Sequence, residues 1–370
     1  MAHKMIKSLL GLIVSLLALS AFSSSAFAFP ELARHGYVNC TSCHVSPSGG
    51  GVLTPYGRQL SKDVLSTWSR ESEPELAYGF LKTPEWLNVG GDGRAIEIYR
   101  NTPQVEAYRL LLMQADAEAA VTVGKFTADV RFGEYMNFDS PQSRQFYVNY
   151  RPFDELSFRV GKFQTAFGLM EADHRTPVRR GLGWDEGTES YNAEAAWLGD
   201  NLNVYLTADF GPLDSKIIPD ASKEKGAGLR VGIPFKDSYQ AGVSYFHGKS
   251  DSATRDVAGP FGILGFTHKL FLLTEADLQN VYNSGANKTG LLAWNKLDYE
   301  FIQGLHGYLM YELNQSDFSS GAKKSSAFGI GSQFFPRPHI ELDFLWKFES
   351  SPAFPSDILN QATLLMHYYL

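Results

Sequence analysis

Cys40-Thr41-Ser42-Cys43-His44 is the stretch of this chain whose residue types and spacing suit covalent chemistry, and its two cysteines are the only ones in the sequence. Two thiols two residues apart in an exported chain can close a strained disulfide, act as a redox CxxC pair, or add to the vinyl groups of haem. The histidine directly after the second cysteine favours haem. Two thioethers fix the macrocycle on one side, and the next residue is then placed to ligate the iron axially. A thiol oxidoreductase wants its CxxC opening a helix in a βαβ setting, and no such pattern surrounds Cys40. A zinc centre needs further ligands, and only His35 lies nearby. The expected cofactor is one covalently attached haem c on Cys40 and Cys43, with His44 as an iron ligand. The iron is expected to be low-spin and six-coordinate, with His35, nearest in sequence, as the expected second ligand on its opposite face. The other choices are Met170 and His174, far along the chain.

The elements around this motif begin with the N-terminus, which sets the compartment. Lys4 and Lys7 precede an apolar run from Leu9 to Ala21, and the stretch closes on Ala26-Phe27-Ala28. Charged start, short apolar middle and small-x-small end together read as a secretory signal over residues 1–28. Serines 23 to 25 interrupt the run before the ~20 apolar residues of a spanning helix accumulate. The formal charge is −7 and no basic cluster occurs, which argues against nucleic acid as a partner.

Composition narrows the class. Aromatics make up 14% of the chain and glycines number 34, yet mean hydropathy is −0.19, and no long apolar segment follows the signal. That combination excludes a helical membrane protein and suits strands whose apolar residues are hidden in alternation. Asn203 to Phe210 alternates strictly, as does Ile340 to Phe348, with large apolar residues on one face and mainly charged ones on the other. Ala115 to Val123 sets Ala and Val against Asp116, Glu118 and Thr122. Short connections near 124, 152–154, 199–200, 235–237, 303–304 and 336–338 alternate with longer polar segments at 137–143, 165–189, 211–224, 248–259, 315–325 and 350–357. One rim with tight turns and another with long loops is the signature of a transmembrane barrel. Weaker strands near 85–101, 260–268, 270–282 and 288–301 bring the count to about 16, with both barrel ends on the periplasmic side. The final stripe Ala362, Leu364, Met366, Tyr368 and Leu370 resembles the C-terminal signal of outer-membrane barrels. The expected architecture is all-β: an antiparallel 16-stranded transmembrane barrel over 81–370, preceded by a small haem domain over 29–80.

That haem domain is too small to bury its own core and cover a porphyrin. The barrel wall is expected to supply the missing contacts, with the domain lodged in the lumen. Gly49 to Gly51 either let backbone approach the haem closely or form a flexible turn. The 165–189 segment is the third connection on the long-loop rim, expected to fold inward. Its Arg175, Arg179 and Arg180 are expected to pair with lumen acids such as Asp116, Glu118 and Asp129, or with haem propionates. The preceding Arg159-Val160-Gly161-Lys162-Phe163, with Phe167-Gly168, loosely resembles an element of phosphate-selective porins.

Phe29-Pro30-Glu31-Leu32-Ala33-Arg34-His35-Gly36, then Cys40 to His44, then Leu53-Thr54-Pro55-Tyr56-Gly57-Arg58, resembles the haem segment of fused cytochrome–porins. These are bacterial outer-membrane proteins best known as candidate extracellular iron oxidases. Pro30, Ala33, Arg34, Gly36, Cys40, Cys43, His44, Leu53, Gly57 and Arg58 occupy the family positions, with Tyr56 where Phe is usual. The resemblance covers the haem segment closely and the barrel in architecture. It implies electron transfer between a periplasmic carrier, such as a soluble c-type cytochrome, and an extracellular metal or other redox partner, in contact with outer-membrane lipid. The competing expectations are a diffusion porin with a haem-bearing plug or sensor, and a haem enzyme. Nothing near the motif looks like a peroxidase acid–base pair.

Overall fold

The computed structural model describes residues 32, 35, 37 and 39–370, apart from 105, 136–140, 171–175, 185–186, 214–223, 237, 284, 321–323 and 353. Residues 1–28, read above as an export signal, lie outside this set, as do Pro30, Ala33, Arg34, Gly36, His174 and Arg175.

Sixteen strands form the fold: β1 (Leu87–Asn101), β2 (Glu106–Val123), β3 (Phe126–Tyr135), β4 (Gln142–Phe153), β5 (Leu156–Phe163), β6 (Ser190–Leu198), β7 (Asn203–Asp209), β8 (Lys225–Phe235), β9 (Tyr239–Lys249), β10 (Ala253–Gly265), β11 (Leu270–Asn283), β12 (Ala286–Ile302), β13 (Leu305–Gln315), β14 (Lys324–Arg337), β15 (Ile340–Ser351) and β16 (Phe354–Tyr369). Each pairs antiparallel with its neighbours in sequence, and β1 closes on β16, with Asp92 opposite Tyr369. Closure leaves no unpaired strand edge, the condition for crossing a bilayer with strands. Among the described residues no helix is long and apolar enough to cross a membrane.

Period-2 alternation separates two environments. Along β7, Tyr205, Thr207 and Asp209 are buried in the lumen, while Leu206 faces out. Along β15, Glu341, Asp343 and Leu345 point inward, and Phe344, Trp346 and Phe348 outward. The terminal stripe is lipid-facing: Leu364, Met366 and Tyr368 are exposed. Outward aromatics stack near the turns of the tight rim, Phe126 on Tyr150 at 4.7 Å and Phe235 on Tyr239 at 5.2 Å, as expected of an interfacial girdle. A closed barrel with this apolar exterior and polar interior belongs in the bacterial outer membrane.

The loops sort as expected, with corrections. The connection expected at 248–259 shrinks to 250–252, because β9 runs to Lys249 and β10 starts at Ala253. The strand expected at 260–268 therefore begins earlier, and the tight turn it hid lies at 266–269. Polar residues concealed this strand end: Arg255 bonds Glu224, and Asp256 bonds His247 and Tyr245. The segment expected as a loop at 350–357 is likewise mostly strand, since β15 ends at Ser351 and β16 begins at Phe354. A strand that rises beyond the hydrocarbon need not be apolar, so hydropathy misses its end. The β2 alternation also breaks. Leu111 and Met113 point inward, but so does Gln114, because the register against β1 shifts between Arg94 and Ala95. That bulge swaps the two faces of the strand.

Candidate haem site in the barrel lumen

One tight turn over Cys40–Ser42 shapes the motif. Cys43 N–H and His44 N–H both donate to the Cys40 carbonyl, at 3.2 and 2.9 Å. A single helical turn brings residues three apart to one side. The chain then doubles back. Val45 N–H donates to Val52 O at 3.2 Å, Thr54 N–H to Cys43 O at 2.7 Å, and the Thr54 hydroxyl to Ser42 O at 2.8 Å. The same hydroxyl accepts from Gly57 N–H at 3.1 Å and caps a short helix, α1 (Pro55–Leu60), with proline at its first position. Gly57 is required by contact: a Cβ there would overlap the Cys43 backbone. Gly49, Gly50 and Gly51 all have positive φ, at 80°, 69° and 69°. At Gly51 a Cβ would run into the Glu118 carboxylate of β2. The triplet is thus a left-handed turn that lets the backbone meet the barrel wall.

Contacts from many strands hold this segment among inward-facing side chains. Arg159 of β5 donates to the Ser46 and Ser48 hydroxyls at 2.9 Å each and to Glu194 at 2.8 Å. The Tyr205 phenol donates to Pro47 O at 2.9 Å, and Asn39 donates to Leu198 O at 3.1 Å. At the tight rim, Ser61 Oγ lies 3.0 Å from the Tyr369 hydroxyl and accepts from His339 N–H at 2.9 Å. Leu32, Cys43, Leu60 and Leu65 form one small core, and its fifth member is Phe335 of β14. The segment completes its apolar core with a wall residue, as its size requires.

The 165–189 connection closes the other side. It packs across the lumen through Phe167, Leu169, Val178, Leu182 and Trp184 against Phe246, Phe261, Phe271, Leu292 and Tyr308 of the far wall. Its backbone is pinned there: Gly168 N–H donates to Ser244 Oγ at 3.0 Å, Leu169 N–H to Glu275 at 2.8 Å, and Arg230 to Gly168 O at 2.6 Å. Between loop and segment lies a cavity with about 1760 Å³ of empty space, part of it continuous with solvent. Cys40, Cys43, His44, Gly49, Met170, Trp184 and Arg230 are among its lining residues.

Fit to a haem can be judged from the histidine. His44 is partly buried, and its Nδ1 lies 3.3 Å from the Gly51 carbonyl oxygen. Donation of Nδ1–H to a backbone carbonyl fixes the tautomer and leaves Nε2 as the metal-binding nitrogen, the usual second-shell arrangement. Burial lowers the imidazole pKa to about 4, so the ring is neutral near pH 7. Cys40 and Cys43 are not joined in a disulfide. Burial pushes Cys40 up to about 11, with Arg230 and Arg159 pulling the other way, and burial together with Cys40 raises Cys43 as well. A redox CxxC pair needs the opposite shift. Among the described residues, no group of three or more His, Cys, Asp or Glu is placed to hold a metal ion.

Of the residues expected at the site, Cys40, Cys43 and His44 line one cavity. His35 does not line it; its ring stacks on His268, with centroids 6.0 Å apart. Met170 does line it. Arg179 donates within its own loop, to Gln164 at 2.9 Å and Phe167 O at 3.4 Å, and its charge also acts on the lumen acids Glu275 and Asp277. The lumen acids expected to receive such arginines are held by strand residues instead. Glu118 pairs with Arg131 at 2.9 Å, Asp129 accepts from Gln145 at 3.1 Å, and Asp116 lies 4.0 Å from Arg144. Adjacent strands satisfy each other first, because their inward side chains are neighbours by register. Arg230 was not anticipated. Its sequence signal is a lone arginine in the small and apolar run Gly226 to Pro234.

Fold and lumen together define an outer-membrane β-barrel of porin architecture. No family model matches the chain, and no curated relative matches it. Solved structures do share the fold. Outer-membrane OmpT of Vibrio cholerae, folded in vitro, is 14% identical with a TM-score of 0.58, covering 79% of this chain and 100% of that one. OprB of Pseudomonas putida is 10% identical with a TM-score of 0.59, covering 77% and 94%. An anion-selective porin from Comamonas acidovorans is 11% identical with a TM-score of 0.59, covering 77% and 99%.

Proposed function

We propose that this protein holds one haem c in its barrel lumen and exchanges electrons between an extracellular donor or acceptor, such as Fe(II)/Fe(III), and the periplasm. The observation that carries the reading is the placement of His44. Its Nδ1 sits at the Gly51 carbonyl, and its ring lines the same cavity as Cys40 and Cys43. Cys40 and Cys43 would hold the macrocycle through thioethers, and His44 would ligate the iron. A bound haem c supplies a one-electron couple whose potential responds to burial and hydrogen bonding. Met170 is the better-placed second ligand, since it lines the cavity and His35 does not. The resemblance of residues 29–58 to fused cytochrome–porins supports the same reading and suggests a soluble periplasmic c-type cytochrome as partner. The inward loop and the N-terminal segment fill lumen space that a wide diffusion pore would leave open. Proteoliposomes containing an internal redox dye test the function: external Fe(II) or a ferric chelate should exchange electrons with the dye.

A diffusion porin with a haem-bearing plug is the second reading, and the porin folds of the similar structures favour it. So does a gap between Thr176 and Arg180 of the inward loop and Glu312, Lys347 and Glu349 of the wall. Rapid sugar passage without electron exchange would select this reading.

A further inference from the structure

Every lumen arginine with an ion pair in the structure has a carboxylate of its own. Arg94 meets Asp92 at 3.1 Å, Arg131 meets Glu118 at 2.9 Å, Arg144 meets Glu189 at 3.5 Å, and Arg159 meets Glu194 at 2.8 Å. Arg230 differs. It is 2% exposed, on the inward face of β8, and the Glu275 carboxylate acts on it without forming a direct ion pair. Its Nε donates to Gly168 O at 2.6 Å. Its guanidinium carbon sits 4.2 Å from the Phe261 ring centroid and 5.5 Å from that of Tyr205. The aromatic rings hold the planar fork in place, and the cavity beside Cys40 lies in front of it.

We infer that Arg230 is a receptor for a carboxylate carried by the occupant of this cavity. A desolvated guanidinium whose nearby charge, Glu275, makes no direct pair with it is only partly compensated, and a planar fork matches a carboxylate in two parallel hydrogen bonds. The Nε bond to Gly168 also fixes the fork to the inward loop, so the occupant's anion and the loop share one anchor. Two sources carry this chemistry: a haem propionate, or a free organic anion entering the lumen. The haem source rests on the haem reading above; the receptor itself does not.

The test uses the full-length protein in detergent as wild type, Arg230→Met and Arg230→Lys, with folding checked by heat-modifiable gel migration. Haem staining is scored first and separately. A wild type without stain removes the haem reading and its propionate, and leaves the free-anion arm to decide. In stained protein, loss of a buried positive charge should shift the haem midpoint potential to lower values in Arg230→Met, with a smaller shift in Arg230→Lys. In the second arm, calorimetric titration with succinate should show affinity reduced at least about tenfold in Arg230→Met, which loses both charge-assisted hydrogen bonds of the fork. A moved potential assigns the propionate, and a changed succinate affinity assigns a free anion. If Arg230→Met does not fold, Arg230→Lys decides, because the ammonium keeps the charge and loses the fork. An unchanged potential together with unchanged succinate affinity in a folded variant overturns the inference.

Discussion

Arg159 donates to Ser46 Oγ at 2.9 Å across 113 residues of sequence, and so ties the loop behind His44 to β5. The same guanidinium holds Glu194 at 2.8 Å and lies with its carbon 3.7 Å from the Phe163 ring centroid. One buried cation therefore serves the wall, the loop and an aromatic at once. Arg159→Ala leaves Glu194 buried without its cation, a loss of about 3–5 kcal/mol. A lowered urea midpoint should report it. The double variant Arg159→Met/Glu194→Gln should recover part of that loss, and failure to recover any would show that the serine contacts, not the ion pair, dominate.

The proposed haem attachment rests on the two thiols. Cys43→Ala should abolish or sharply weaken haem staining on denaturing gels, because one thioether is lost. Stain at full strength in this variant would remove the haem assignment.

Met170, which lines the cavity, and His35, which is nearest the motif in sequence, compete as the proposed second iron ligand. Met170→Ala should convert a low-spin optical spectrum to high-spin, while His35→Ala should leave it unchanged. The reverse pattern would return the assignment to His35.

Gly57 has no room for a side chain against the Cys43 backbone. Gly57→Val should reduce covalent haem content several-fold while the barrel still shows heat-modifiable migration, since the strands do not depend on α1. Normal haem loading would show that the turn after the motif can open without consequence.

His339, in the tight turn between β14 and β15, is 1% exposed, with φ 68°. Burial lowers its pKa from 6.5 to about 4. Between those values the unfolded chain binds the extra proton and the fold resists it. Stability therefore rises with pH in this window, is complete above about 6.5, and is lost as pH falls towards 4. Because its backbone N–H meets Ser61, acid should loosen the docking of residues 61–68 on the rim. Protease cleavage near Trp68 should increase from pH 7 to pH 5 in wild type and respond less in His339→Asn, a residue that tolerates the same backbone. Equal pH responses would assign the effect elsewhere.

Much was legible before any coordinates. Chemistry that depends on adjacent residues is written locally, so the spacing of Cys40, Cys43 and His44 is enough to raise the haem c proposal. Alternation along Asn203 to Phe210 and Ile340 to Phe348 reports two environments, and sorted loop lengths turn those strands into a barrel. What the sequence could not carry was contact between distant positions. Which side chain meets Arg159, where His35 and Met170 lie relative to the cavity, and what surrounds Arg230 all depend on strand register and on the path of the inward loop. A bulge near Met113 exchanges the faces of β2 without leaving a pattern, since both faces there carry apolar residues. Strand ends beyond the bilayer were hidden for a related reason: water, not lipid, surrounds them, and polar side chains suit them as well as loops. Local patterning fixed the elements and the motif; closure of the barrel decided which residues surround it.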